Sequence, residues 1–178
     1  MGKHEALKDL IRSVPDYPKS GIVFRDITTL LKNGEAFRRA VDRMAERARS
    51  RDAEVIACVE ARGFLFGAAV ASALEIGVIP IRKPGKLPAE TRRKQYTLEY
   101  GVDALEVHTD AIHRGERVFV VDDLLATGGT ALATAQLIEE LGGRVVGFCF
   151  LIDLAFLDGR KKLNAYDVDA LITYESEA

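Results

Sequence analysis

The sequence contains few cysteines and histidines, and this scarcity disfavours two classes of site. Its 178 residues include 2 Cys, 3 His and no Trp. Cys58 and Cys149 lie in separate apolar runs typical of buried strands, so we expect no disulfide. His4, His108 and His113 do not cluster with the cysteines at metal-ligand spacing, which disfavours a zinc site.

The sequence also lacks a charge excess and any long apolar segment. Lys and Arg number 25 against 27 Asp and Glu, a net charge of −2 that favours neither nucleic acid nor an anionic membrane as a partner. Residues 1–10 have no apolar signal-peptide core, and no stretch is long enough to span a bilayer. We therefore expect a soluble, cytoplasmic protein. A hydrophobic fraction of 48% in this length predicts a single domain over residues 1–178.

Alternating helical and strand patterns predict an α/β fold with a mostly parallel sheet. Apolar spacing predicts helices over residues 7–14, 37–48, 64–74 and 131–141, and apolar runs predict strands over 55–59, 78–81, 118–121 and 145–152. The polar stretch from Lys83 to about Tyr96 predicts a mobile loop. In such a sheet the loops that follow successive strands meet at one edge, so distant motifs converge there.

The most informative segment spans residues 118–130. An apolar strand ends on Asp122 and Asp123, and a small, Gly-rich turn then opens into a helix. Glycines let a backbone approach a phosphate closely, and successive N–H groups at a helix start bind anions. The adjacent carboxylates repel each other, a cost that sugar hydroxyls or a cation would relieve. The segment lacks G-x-G-x-x-G, and Pro80 stands where a Walker A motif ending on Gly85-Lys86 would need glycine, so we expect a different phosphate site.

Residues 120–130 resemble the phosphoribosyl-pyrophosphate (PRPP) signature of the type I phosphoribosyltransferases. The resemblance implies that Asp122 and Asp123 bind the ribose hydroxyls. It assigns the 5′-phosphate to the turn made of Ala126, Thr127, Gly128, Gly129 and Thr130. It also implies this family's fold: a central mostly parallel β-sheet flanked by helices, a small N-terminal hood at approximately residues 15–30, and a flexible loop at approximately 84–100 over the active site. Mg²⁺ would be held mainly by PRPP and water, with no direct protein ligand.

Further segments resemble the adenine-specific branch of this family. They cover residues 21–27, 60–67, 82–88 and 96–101. The resemblance implies a purine-salvage reaction in which PRPP and adenine give AMP and pyrophosphate, carried out by a homodimer. It also implies that the loop after residue 59 carries a non-proline cis peptide.

Four basic residues are candidates for the pyrophosphate. Arg62 is the expected clamp, since a guanidinium matches phosphate oxygens bidentately. Lys83 and Lys86 flank a Pro-Gly turn that composition alone would class as a solvated loop, and the resemblance assigns them to pyrophosphate. Arg82 is a further candidate, reaching a substrate across a dimer interface.

Two residues after the loop are the catalytic candidates. The resemblance implies that the segment with Glu99 and Tyr100 closes over the site and that Glu99 takes or holds a purine proton. The alternative is that Glu99 is an ordinary exposed carboxylate.

The adenine site is predicted in the hood. Backbone groups of Val23 and Arg25 would read the base edge, while Phe24 packs on its face. Leu154 either lines the other side of the base or only packs in the core. Two alternative functions stay open: a phosphoribosyltransferase for another nucleobase, and a non-catalytic PRPP-sensing regulator on the same fold. A regulator is expected to carry a nucleic-acid-binding segment, which residues 2–14 do not resemble.

Overall fold

The computed structural model describes residues 6–97 and 102–177 and has the predicted α/β architecture. The strands are β1 (Arg12–Pro15), β2 (Val23–Asp26), β3 (Val55–Val59), β4 (Gly77–Ile81), β5 (Thr91–Thr97), β6 (Val102–His108), β7 (Arg117–Leu125), β8 (Arg144–Leu154) and β9 (Val168–Tyr174). The α-helices are α1 (Thr28–Lys32), α2 (Gly34–Arg49), α3 (Gly63–Leu74) and α4 (Gly129–Glu140). Short 3-10 segments span Leu7–Leu10, Ala155–Leu157 and Gly159–Leu163.

A five-stranded sheet of order β4-β3-β7-β8-β9 forms the centre, and all its neighbouring strands pair in parallel. Successive side chains of a strand point to opposite faces, so the interior strands β3, β7 and β8 each contribute to two cores. On β7, Phe119 and Val121 face the core shared with α2 and α3, whereas Val118 and Val120 face the core shared with α4 and β6. This two-sided burial explains why the central strands read as continuous apolar runs.

The parallel arrangement brings the carboxyl ends of β3, β7 and β8 to one edge. Residues 60–62 follow β3, the Gly-rich turn follows β7, and Leu154 ends β8. The motifs separated in the sequence therefore meet at the edge where ligands bind in open α/β sheets.

The helix predicted over residues 7–14 is wrong beyond its first turn. Only Leu7–Leu10 is helical, as a 3-10 segment, and Arg12–Pro15 is strand β1, paired antiparallel with β2. The apolar residues Leu7 and Ile11 are buried in the core, but Val14 lies opposite Phe24 in the hairpin. Long-range backbone pairing thus overrides the local helical spacing, and the hood is a β-hairpin that begins before residue 15.

The loop predicted through Tyr96 is also only partly correct. Residues 83–90 are irregular, but Thr91–Thr97 forms β5 and pairs along its whole length with β6. Its side chains dock on α4: Lys94 Nζ lies 2.7 Å from Glu140 Oε1, and Tyr96 contacts Thr130. The polar composition reflects a ribbon outside the main sheet, which the sequence pattern does not distinguish from a loop.

No helix within residues 6–97 and 102–177 has the length and apolar character needed to cross a bilayer.

Candidate active site

The two acids of the PRPP motif lie side by side near the end of β7. Asp123 is buried and Asp122 is partly exposed, and both line a cavity of about 200 Å³ together with residues from β3 and β6. Asp122 Oδ1 accepts a hydrogen bond of 2.8 Å from the Asp123 N–H. Desolvation by the surrounding protein atoms, followed by the neighbouring charge of Asp123, raises the pKa of Asp122 well above its usual range. The pair is thus turned toward a cavity, in the costly arrangement that the sequence predicts.

The absence of a side chain at Gly63 leaves room for the Asp122 carboxylate. Gly63 begins α3, and a Cβ built on it would lie 2.5 Å from Asp122 Oδ1. A side chain at position 63 would push the carboxylate away, so the Arg62-Gly63 motif and the acid pair are structurally linked.

Arg62 connects the acids to the hood. Its Nε lies 2.7 Å from Asp123 Oδ2, and its guanidinium carbon lies 5.3 Å from the centroid of the Phe24 ring. The Asp123 oxygen is buried and has no aligned hydrogen-bond partner in the described part of the chain, so the contact is an ion pair without good hydrogen-bond geometry. Arg62 therefore lies where the predicted ribose, pyrophosphate and base sites meet.

The Gly-rich turn forms a second cavity of about 230 Å³. Gly128 has a φ of +77°, a left-handed conformation that favours glycine, and helix α4 starts at the next residue. A Cβ on Gly128 would collide with the carbonyl oxygen of Gly159, and one on Gly159 would collide with that of Ala126. This tight packing keeps side chains out of the turn and leaves its backbone facing the cavity.

The basic residues after β4 are held by one acid. Glu60 Oε2 accepts from Arg82 Nε at 2.8 Å, and Glu60 Oε1 accepts from the Lys83 N–H at 2.8 Å and lies 3.0 Å from Lys86 Nζ. Burial opposes ionisation of Glu60, but the hydrogen bond from Lys83 and the charges of Lys86 and Arg82 outweigh it and lower its pKa. Sequence reasoning gave Glu60 no role, although it lies within the motif that placed Arg62.

Lys83 is paired with another acid, Asp103. Lys83 Nζ forms an ion pair with Asp103 Oδ2, which also accepts a hydrogen bond of 3.2 Å from the Tyr96 hydroxyl. The Tyr96 hydroxyl in turn accepts from Thr130 Oγ1 at 3.2 Å. This network joins the predicted pyrophosphate and 5′-phosphate residues. Asp103 was missed because an acid in an amphipathic strand carries no signal of its own.

The comparisons agree with this geometry. The sequence model described as "Phosphoribosyl transferase domain" matches residues 28–176. The adenine phosphoribosyltransferase of Desulfitobacterium hafniense is 60% identical over 164 residues, which cover 92% of this chain and 95% of the relative. The chain belongs to the adenine phosphoribosyltransferase family.

Solved structures of this family share the fold. The adenine phosphoribosyltransferase from Thermoanaerobacter pseudethanolicus superposes with a TM-score of 0.92 at 54% identity, covering 94% of this chain and 98% of the other. The Saccharomyces cerevisiae enzyme, complexed with D-2,5-dideoxy-2,5-imino-altritol 1,6-bisphosphate and adenine, has a TM-score of 0.87 at 38% identity, covering 93% and 96%. The family's fold is therefore present along nearly the whole chain.

The hood residues expected to bind the base in this family are near the sheet edge. Phe24 contacts Arg62 as described above, and Leu154 is half-buried at the end of β8 against the core shared with α2 and α3. The Val23 N–H is occupied: it donates a hydrogen bond of 2.9 Å to Glu177 Oε1. Arg25 is buried, with its guanidinium carbon 4.0 Å from the centroid of the Tyr174 ring.

The remaining sequence predictions have different outcomes. Glu99 and Tyr100 lie outside the described residues. The Glu60-Ala61 peptide bond is cis, as the family resemblance implies. Within the described ranges, no cluster of three or more His, Cys, Asp or Glu side chains is arranged around a metal position.

Proposed function

We propose that this chain transfers the 5-phosphoribosyl group from PRPP to adenine, releasing pyrophosphate and forming AMP in purine salvage. The observation that carries the proposal is the acid pair and backbone-lined turn at one strand end, in a chain 60% identical to an adenine phosphoribosyltransferase.

The turn from Ala126 to Thr130 would bind the 5′-phosphate. Its N–H groups stand at the start of α4, where the helix dipole favours an anion. The Thr127 hydroxyl adds a donor, and the Thr130 hydroxyl would add another on releasing Tyr96. The phosphate lies far from the reacting carbon, so this binding fixes the sugar's position without taking part in bond breaking.

Asp122 and Asp123 would act on the ribose. Departure of pyrophosphate leaves positive charge on the sugar ring, as in glycoside cleavage. Two carboxylates at the hydroxyl side stabilise that charge more than the neutral ground state, which is the condition for raising the rate. Hydrogen bonds donated by the ribose hydroxyls would also stabilise the ionised Asp122 carboxylate, whose pKa is raised by desolvation.

Magnesium bound to PRPP fits this site. The buried Asp123 Oδ2 lacks an aligned donor, so it can accept from water on a metal ion. The ion would neutralise pyrophosphate charge as the leaving group departs. Asp122 and Asp123 would hold its water shell while PRPP supplies the direct ligands.

The pyrophosphate would bind basic side chains that already have partners. Arg62 pairs with Asp123 and Lys83 pairs with Asp103, so each would exchange a carboxylate for a phosphate oxygen. Arg82 and Lys86 are held on Glu60 and would contribute mainly long-range positive charge.

The base would be read by the free edge of β2. The Val23 N–H donates outside the hairpin, and Pro15, which lies opposite Val23, has no N–H to pair with it. In an antiparallel strand the N–H and C=O of one residue face the same edge, and so do those of the residue two positions on. The Val23 carbonyl and the Arg25 N–H therefore also face away from β1. One acceptor and one donor at this spacing match the amino group and adjacent ring nitrogen of adenine. Phe24 and Leu154 would supply apolar contact, and Glu99, with Tyr100 beside it, would hold the purine proton during bond formation.

We further propose a homodimer located in the cytoplasm. Leu65 of α3 is 48% exposed and Val78 of the edge strand β4 is 43% exposed, so these two neighbouring elements present apolar side chains at the surface. A partner covering this surface would bring its own residues close to Arg82.

The test is an assay with PRPP, Mg²⁺ and each nucleobase in turn, following pyrophosphate release. We expect turnover with adenine and at least a hundredfold lower kcat/KM with hypoxanthine, guanine, xanthine or orotate, the scale on which a site rejects bases that leave its polar groups unpaired. Equal turnover of adenine and hypoxanthine would refute the base assignment. Tight PRPP binding without turnover of any base would support the PRPP-sensing alternative.

A further inference from the structure

The C-terminal segment of the described chain lies on the hood strand that is proposed to read the base. After β9, Glu177 returns to β2 and makes two contacts with it. Its Oε1 accepts from the Val23 N–H at 2.9 Å, and its backbone carbonyl accepts from Arg25 Nη2 at 2.7 Å. Both contacts join residues more than 150 positions apart in the sequence.

Arg25 fixes this arrangement. Its guanidinium is buried, lies 4.0 Å from the centroid of the Tyr174 ring, and donates through Nη1 to Ser13 Oγ at 2.5 Å. Arg25 thus connects β1, β9 and the C-terminal segment at one point. Because the guanidinium is held on three sides, the backbone of Glu177 has a defined position, and its side chain reaches Val23 from there.

The Glu177 carboxylate lies next to the Val23 carbonyl, the group proposed to bind the base. In an extended residue the N–H and the C=O point to the same strand edge, so a group bonded to the Val23 N–H is adjacent to whatever meets the Val23 carbonyl. In the proposed function that neighbour is the amino group of adenine. This group has two hydrogens, and the carbonyl can accept only one of them along the strand edge.

We propose that Glu177 is a specificity-determining residue of the base subsite, accepting the second amino hydrogen of adenine and disfavouring purines with a carbonyl there. An ionised carboxylate is only an acceptor, so it attracts an amino group and repels a carbonyl oxygen. The inference rests on the proposed function, because it uses the base orientation given there.

The decisive variant is Glu177→Gln. A glutamine can keep its amide oxygen on the Val23 N–H while presenting an NH₂ donor to the base, so the anchor is retained and the preference is inverted. Glu175→Gln is the matched control: it makes the same charge change two residues away, at an exposed side chain. Melting temperatures of both variants check that the fold is retained.

We expect Glu177→Gln to raise the KM for adenine and to lower the inhibition constant of hypoxanthine against adenine. The ratio of the hypoxanthine inhibition constant to the adenine KM should fall by about tenfold, the size of one charge-assisted hydrogen bond exchanged for a mismatched contact. The PRPP KM and kcat should stay within about twofold, because Glu177 touches neither the phosphates nor the reacting carbon. Glu177→Ala, which removes the acceptor without adding a donor, should give an intermediate ratio.

Two results would overturn the inference. An unchanged ratio in Glu177→Gln would show that the carboxylate does not discriminate between bases. A lower adenine KM in that variant would show that Glu177 competes with the base for β2. The proposed function is tested separately: an unmodified protein that fails to turn over adenine refutes it, whereas unmodified activity with an unchanged ratio refutes only the role of Glu177.

Discussion

The turn that we propose binds the 5′-phosphate and the residues that we propose bind pyrophosphate present their binding groups in different ways. The turn from Ala126 to Thr130 presents backbone groups whose geometry is fixed by Gly128 and its contact with Gly159. The pyrophosphate side presents cationic side chains, each paired with an internal carboxylate. One half of the site is preorganised, and the other must exchange partners.

This difference indicates how binding and catalysis are divided. A backbone cradle binds phosphate without side-chain ordering, so it anchors the substrate at low entropic cost. Cations that leave Asp123 and Asp103 for pyrophosphate also release those acids, and Asp123 is an acid that the proposed mechanism uses on the ribose. Substrate binding is therefore expected to activate the acid pair.

The largest expected effect comes from Asp122→Asn. Losing one carboxylate beside the developing sugar cation should lower kcat by about 10²- to 10³-fold in steady-state assays, with a smaller change in the PRPP KM. A comparable rise in the PRPP KM with an unchanged kcat would instead show that Asp122 acts in ground-state binding.

The same variant tests the electrostatic cost of the acid pair. The pKa of Asp122 is raised in the folded state, so its contribution to stability is favourable below its unfolded pKa of about 3.9 and is lost as pH rises through the folded pKa. Asparagine removes that cost, so we expect a higher melting temperature than the unmodified protein at pH 7 and a vanishing difference near pH 3. A lower melting temperature at pH 7 would contradict this account.

Gly128→Ala tests whether the fixed backbone geometry of the turn from Ala126 to Thr130 determines the binding of PRPP. A Cβ there would both strain a φ of +77° and collide with Gly159, so we expect a 10- to 100-fold higher PRPP KM, corresponding to about 1.4 to 2.8 kcal/mol. Gly115→Ala is the control, since Gly115 has a φ of +81° but no atom within 4 Å of its Cβ position. It should lose about 1 kcal/mol of stability, with an unchanged PRPP KM. Equal behaviour of the two variants would mean that conformational strain alone matters.

Substitutions of the basic residues proposed to bind pyrophosphate should change the PRPP KM less than Gly128→Ala does. Lys83→Ala should raise the PRPP KM by about tenfold, the value of one charge-assisted hydrogen bond. Lys86→Ala should change it by less than about threefold, because Lys86 is half-exposed and paired with Glu60, a setting in which ion pairs contribute little. A larger effect at Lys86 than at Lys83 would reverse the assignment of the pyrophosphate contact.

Local patterns predicted β3, β4, β7 and β8 of the central sheet, but they missed its edge strand β9 and the peripheral strands β1 and β5. The apolar runs at β3 and β8 and the helical spacing of α2 are confirmed, since each is a property of one continuous segment buried in a core. β1 and β5 were missed because their strand conformation comes from pairing with β2 and β6. Such pairing depends on a distant partner and leaves only a weak pattern in either strand.

The order of residues by itself determined the acid pair, the Gly-rich turn and the alternation that brings them to one sheet edge, because each depends on neighbours within a few positions. Only the tertiary structure decided which cation faces which acid and that Glu177 lies on the hood strand. The Lys83–Asp103, Arg62–Asp123 and Val23–Glu177 contacts join residues 20, 61 and 154 positions apart, and no local pattern encodes a distance through space.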